Sequence, residues 1–193
     1  MQESDFVHGI RNMDQEMFRE LVSRYQESLI RLCKGFLHNE EDARDVTQEI
    51  FIEVIESISH FRENAKLSTW LYRIAVNKAL NHLRKNKLKH LSISLDMLHS
   101  NVRSMPYKSN SYESIDPADN MEKSDRKKQI RLAIDGLPKN QRIAFVLNKY
   151  LDLSYREIAD IMDISVSAVE SLIHRAKINL QKKLLRLYRK NLL

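Results

Sequence analysis

Four polar side chains, Arg73, Asn77, Asn81 and Arg84, recur at spacings of four, four and three, so on a helix they share one face. Trp70 lies one turn ahead of them. An indole beside guanidinium and amide groups can hold unpaired bases, since any base stacks on an aromatic ring and Asn or Arg can read its edge. The same residues fit a second reading, in which Trp70 is a core residue and the basic row faces solvent. A further polar set, Asp42, Asp45, Glu49, Glu53 and Glu56, lies opposite an apolar stripe of Val46, Ile50, Phe51, Val54, Ile55 and Ile58. Carboxylates in this number could do general acid–base chemistry, but a surface helix accounts for them more simply.

Other bond-making chemistry finds no support. The glycines stand at 9, 35 and 136, too far apart for a phosphate-cradling loop or a dinucleotide fingerprint. The seven histidines are scattered, with no pair at the short spacing of a helical zinc site. Cys33 sits in a helical stretch as a small buried hydrophobe rather than a nucleophile. A single cysteine forms no internal disulfide, which suits a reducing cytoplasm. No enzyme, cofactor or metal is expected.

The elements that position these residues are helical. Among 193 residues there are only 3 glycines and 3 prolines, too few for turn-rich β folds. No apolar run approaches the roughly 18 residues of a membrane span, and the first ten residues lack an apolar signal core, so no membrane insertion is expected. Helical periodicity covers 17–37 and 42–58. A third helix is expected from Ser68, as its N-cap, to about residue 87. Residues 91–122 carry seven serines, Pro106 and Pro117 without regular apolar spacing, and read as a linker.

The second half opens at Leu137-Pro138, with proline in the first helical turn, followed by an apolar run of Ile143, Phe145, Val146 and Leu147 up to Tyr150. Ser154 and Glu157 fit a capping box, and Ile158, Ala159 and Met162 line the short helix it starts. After a break at Asp163-Ile164-Ser165, a longer helix places Val169, Leu172, Ile173, Ala176 and Leu180 on one stripe. That is a helix-turn-helix, with Asp163 suited to the left-handed turn. The expected fold is all-α: two small helical domains, 1–90 and 123–193, joined by a flexible linker, the second a helix-turn-helix domain.

Charge divides along the same lines. Residues 1–61 carry net −7, 62–90 net +7, 91–122 net −3 and 123–193 net +9. Solvated helix faces account for this, and so do two kinds of partner, the basic blocks suiting a polyanion such as nucleic acid.

Particular motifs narrow the choice. The run from Asp42 to Phe51, DARDVTQEIF, resembles the core-polymerase-binding helix of bacterial sigma factors. Phe61-Arg62 followed by Ser68 to Asn77, STWLYRIAVN, resembles the promoter-melting segment of extracytoplasmic-function (ECF) sigma factors. Leu137-Pro138 with Arg142, Tyr155 to Ala159, and Val166 to Ser171 with Arg175-Ala176-Lys177 resemble their second domain. The resemblance spans about 15–90 and 123–190. It implies a non-enzymatic factor that binds core RNA polymerase, directs it to promoters and helps open the duplex.

By position, the resemblance implies that Asp42, Asp45, Gln48 and Glu49, with Glu53, contact the clamp helices of the large polymerase subunit. Phe61, Arg62, Ser68, Thr69, Trp70, Arg73, Asn77, Asn81 and Arg84 would meet the minus-ten element, the residues before Trp70 forming a loop that traps a flipped base. Ser167, Glu170, Ser171, His174, Arg175 and Lys177 would meet the minus-thirty-five element, with Lys182 and Lys183 on its backbone. The linker would thread toward the polymerase active-site and RNA-exit path.

Two residues depart from the pattern: Glu63, where many relatives have glycine, and Glu170, where many have a basic residue. Either Glu170 reads a different base, as glutamate can with cytosine, or upstream binding is weak and a recruiting DNA-bound protein helps. An anti-sigma factor is a further candidate partner. The rival readings are a helix-turn-helix regulator of duplex DNA that works without core polymerase, and a protein-binding adaptor. Trp70 beside Asn77 after an acidic helix argues against the first, and the +9 block against the second.

Overall fold

The computed structural model describes residues 3–99 and 117–190, and among the described residues there are eight α-helices: α1 (Glu3–Arg11), α2 (Gln15–Leu37), α3 (Glu40–Ser57), α4 (Leu67–His99), α5 (Pro117–Asp135), α6 (Lys139–Leu151), α7 (Tyr155–Met162) and α8 (Val166–Lys190). A 3-10 turn, Ile58–His60, links α3 to the loop before α4. None of these helices is long and apolar enough to cross a membrane.

Local chemistry sets most of the ends. Asp14 caps α2 by accepting from Glu16 N at 2.8 Å and Met17 N at 3.3 Å, which satisfies backbone donors that have no partner within the helix. Asn39 does the same for α3 through Glu41 N at 3.0 Å. The expected capping box is present, with Ser154 N donating to Glu157 at 2.9 Å and Glu157 N donating to Ser154 Oγ at 3.3 Å. Asp163 takes the left-handed conformation at φ 56°, and Ser165 Oγ accepts from Ala168 N at 3.2 Å to start α8.

Several boundaries differ from expectation. Ser68 is not the N-cap of α4. It is the second helical residue, and the first N–H, that of Leu67, is taken by the Glu3 carboxylate of α1. That helix also runs past residue 87 to 99, because no glycine or proline interrupts it and Leu88, Leu91, Leu95 and Leu98 are good helix formers. Helix α5 likewise enters the stretch read as linker, with Pro117 as its first residue, where the missing N–H costs nothing. Residues 100–116 of that stretch lie outside the described residues. Pro138 is the N-cap of α6 and not part of its first turn. Helix α1 had no sequence expectation at all.

Two helical units result. In the first, α2, α3 and α4 pack through Leu29, Leu32, Phe36, Val46, Ile50, Val54, Leu71 and Ala75, and α1 adds Phe6, Val7 and Ile10. In the second, α6, α7 and α8 pack through Ile143, Val146, Leu147, Ile158, Val169 and Ile173. The buried residues of both units form one apolar cluster. Helix α5 packs on α8 through Ala133, Ile134, Leu137, Ala176 and Leu180.

The units meet where α2 crosses α6. A Cβ on Gly35 would stand 2.7 Å from Val146 Cγ1 and 3.0 Å from Tyr150 Cγ. Beside this contact Arg142 donates to the Phe36 carbonyl at 2.6 Å, lies over the Phe36 ring and pairs with Asp135 at 2.6 Å. His38, which ends α2 at φ 58°, meets the same carboxylate at 3.0 Å. Burial works to raise the Asp135 carboxyl, but its bond to His38 and the charges of His38 and Arg142 outweigh this and hold it below the usual range.

Gly35→Ala should therefore force α6 away from α2 at an overpacking cost of about 1–3 kcal/mol, while each unit keeps its own core. The expected result is a larger radius of gyration by small-angle scattering with unchanged helicity. An unchanged radius would show that the close approach does not hold the units together.

Candidate functional site

The acidic helix divides into two groups. Asp45, Gln48, Glu49 and Glu56 are exposed, as the helical spacing requires. Asp42 and Glu53 turn instead toward α4, Glu53 pairing with Lys78 at 3.1 Å and Asp42 lying 4.0 Å from His82. The solvent-facing set also contains Ile52, 55% exposed. Sequence reasoning missed it, although the spacing 45, 48, 49, 52 is the signal that would have placed it on that face. An apolar side chain ringed by carboxylates suits a basic protein surface with an apolar contact, and a polyanion would be repelled.

On α4 the expected polar row holds. Arg73, Asn77, Asn81 and Arg84 are all exposed, and the intervening Leu71, Ala75, Val76 and Ala79 are buried. Trp70 has something of both readings. It packs half-buried against the core, its ring centroid 5.1 Å from that of Phe61 at a tilt of 35°, and its remaining surface adjoins the polar row. Phe61 and Thr69 are buried, at 5% and 7% exposure. They are corrections to the expected surface, since Phe61 serves as the floor under Trp70 and Thr69 faces inward. Ser68 is half-buried, while Arg62 is exposed in the loop.

Arg73 is engaged. Its guanidinium donates to the carbonyls of Asp160 at 2.5 Å and Ile161 at 3.1 Å, near the C-terminal end of α7 where a cation is favoured. This contact crosses between the two units, and sequence spacing carries no signal for it.

On α8 of the second unit, the side chains expected to face outward do so. Ser167, Glu170, Ser171, His174, Arg175 and Lys177 are exposed on α8, and Val169, Ile173 and Ala176 are buried with Leu172 half-buried. Ile164 and Val166, beside the turn, are partly exposed apolar residues at 37% and 47%. Lys183 departs from expectation. Its ammonium donates to the Gly136 carbonyl just past the end of α5, so it ties α8 to α5 and does not project outward.

Chemistry by a nucleophile or metal finds no geometry here. The Cys33 thiol is buried and pushed up to about 11 by that burial, which the Thr47 hydroxyl only partly offsets. Among the described residues no group of three His, Cys, Asp or Glu could hold a metal ion. In the loop before Trp70, Glu63 stands in the left-handed region at φ 56° and pairs at 2.8 Å with Arg11 of α1, a link that sequence reasoning did not make.

Comparison with known proteins follows this division. Residues 21–89 match the family model Sigma-70 region 2, and residues 127–180 match Sigma-70, region 4. The chain is 34% identical over 179 residues to the ECF RNA polymerase sigma factor SigW of Bacillus subtilis (strain 168), covering 92% of this chain and 94% of that protein. It is 34% identical over 186 residues to the ECF RNA polymerase sigma-E factor of Escherichia coli (strain K12), covering 95% of each. Among solved structures, CnrH in complex with the cytosolic domain of CnrY shares the fold with a TM-score of 0.65 at 22% identity, over 94% of this chain and 96% of that one. At 34% identity across nearly its whole length, the chain belongs to the sigma-70 family of RNA polymerase sigma factors, in its ECF branch.

Proposed function

We propose that the chain initiates transcription by docking on core RNA polymerase through α3, holding the melted minus-ten strand on α4 and reading the minus-thirty-five element with α8. It is a transcription initiation factor that binds core polymerase and promoter DNA, and it supplies binding energy with no bond-making step of its own. Its place of work is the cytoplasm, where the polymerase is. The observation that carries this reading is the adjacency, within one unit, of an exposed acidic face at Asp45 and Glu49 and an exposed basic and amide face at Arg73, Asn77, Asn81 and Arg84. Opposite charges on neighbouring helices suit two different partners at once. A plain regulator of duplex DNA would leave the first face without use.

The assignment of domains follows: the first unit binds core and the minus-ten element, and the second binds the upstream element. Base capture costs a few kcal/mol of unstacking, and stacking on an aromatic face returns about 1–3 kcal/mol per base. For DNA to reach Arg73, its guanidinium must leave the α7 carbonyls it now holds. In this reading the two units separate when the factor engages a promoter.

Three experiments test the assignments. Asp45→Arg combined with Glu49→Arg should abolish core-polymerase binding in a pull-down with helicity unchanged, since both side chains are exposed; retained binding would exclude α3 as the docking face. Asn77→Ala should reduce transcription from duplex promoters about ten-fold more than from a template with a pre-opened bubble, and an equal loss on both would exclude a role in opening. Glu170→Ala should change the preferred base at one upstream position by about 1–3 kcal/mol, measured on a library randomised over the minus-thirty-five element. Unchanged preferences would mean that Glu170 is not a reader.

A further inference from the structure

The loop residues 62–66 have almost nothing of their own to hold their shape. Arg62, Glu63, Asn64, Ala65 and Lys66 are all exposed, so burial fixes none of them. Glu63 also stands at φ 56°, a conformation that glycine adopts freely and glutamate does not. A conformation of that kind persists only where the surroundings impose it.

Here the imposing element is α1. Its last residue, Arg11, makes three contacts with one guanidinium: Nε donates to the Ile58 carbonyl at 3.3 Å, one terminal nitrogen meets Glu63 Oε1 at 2.8 Å, and the other donates to the Phe61 carbonyl. At the opposite end of the same helix, the Glu3 carboxylate accepts from Leu67 N, the first N–H of α4. An acceptor there also suits the positive end of the α4 dipole. The entry and exit of the loop are thus pinned by the two ends of one nine-residue helix, which spans about 12 Å between them. Phe6, Val7 and Ile10 bury that helix in the core, so the brace is itself rigid.

An exposed Arg–Glu pair alone stabilises little. What matters is that a planar five-donor fork satisfies two carbonyls and a carboxylate in one arrangement, which a lysine could not. This holds the carbonyls of 58 and 61 and the side chain of Glu63 in advance of any ligand, and preorganisation of a binding loop lowers the entropy lost when the ligand is captured. The ligand in question is a nucleobase, and the assignment rests on the reading of residues 61–66 as the loop that receives a flipped base of the minus-ten strand.

We propose that Arg11 is a positioning residue for promoter recognition: through Arg11 and Glu3, α1 sets the shape of the 61–66 loop and thereby which base that loop accepts. Nothing in the family model over 21–89 reaches α1. The brace also accounts for Glu63, because a carboxylate at the left-handed position gains a partner that glycine could not use.

The test is transcription by reconstituted holoenzyme on a promoter library randomised over both elements, with wild type, Arg11→Ala, Glu63→Gln and the loop variants Arg62→Ala and Asn64→Ala. Arg11→Ala should flatten the preference at one minus-ten position by about five-fold or more. Glu63→Gln, which keeps the size of the side chain, should flatten the same position less. Core binding, helicity and the minus-thirty-five preferences should be unchanged in both. If Asn64→Ala alters that position and Arg11→Ala does not, the brace is overturned while the loop remains the base trap. If Asn64→Ala and Arg62→Ala leave every minus-ten preference as in wild type, the loop reading fails and the brace with it. A uniform loss across all positions, with lowered helicity or altered upstream preference, would make α1 a structural element only and overturn the proposal.

Discussion

The backbone of α2 at Gly35 lies so near Val146 and Tyr150 of α6 that a single methyl group would not fit between them. Beside that approach Arg142, already paired with Asp135 of its own unit at 2.6 Å, reaches the Phe36 carbonyl of α2 at 2.6 Å, in a site where its charge would otherwise be costly. The approach also sets the offset between the units, which carries the end of α7 to Arg73. With the units together, Arg73 satisfies backbone carbonyls; with the units apart, the same fork is available to a phosphate or a base.

The faces proposed for the two partners lie on neighbouring helices, so that binding to one would leave the other accessible. Carboxylates and Ile52 project from α3, and cations and amides project from α4. Lys78 and Glu53, and more distantly His82 and Asp42, pair along the seam between the two helices. Those pairs use up the charges nearest the seam and leave a clean acidic side and a clean basic side. A sigma factor needs such a separation, because it must attach to a protein and to a nucleic acid with adjacent surfaces. Nothing in that task requires a perturbed nucleophile, and the one thiol is buried with its ionisation suppressed.

The loop before α4 shows a different use of a distant element. Its exposed residues form no core, and its left-handed Glu63 is held by Arg11, 52 residues earlier in the chain. At the start of the loop Phe61 packs against Trp70, the ring centroids 5.1 Å apart at a tilt of 35°. Between these two supports the backbone is fixed without burying any of the side chains that could meet a ligand. Both properties suit the base-binding role proposed for this loop.

Much of this was legible in the sequence because it depends on neighbours within a turn or two. The acidic and basic rows, the capping box at Ser154 and Glu157, the left-handed Asp163 and the inward stripe of α8 follow from helical spacing and from side chains bonding to nearby backbone, and the order of motifs identified the family. What the sequence could not contain depends on separations of tens of residues. Ser68 was a reasonable cap by local rules, yet Glu3, 64 residues away, takes the first N–H of α4. Lys183 was a reasonable phosphate contact, yet it binds the Gly136 carbonyl. Thr69 and Phe61 matched a DNA-binding segment, yet packing turned both inward. The partners of Arg11, Arg73 and Arg142 are all carbonyls or carboxylates of other elements. A guanidinium can reach any acceptor that folding brings to its tip, so helical periodicity places the side chain on a face, and only the packing of the helices decides what it meets there.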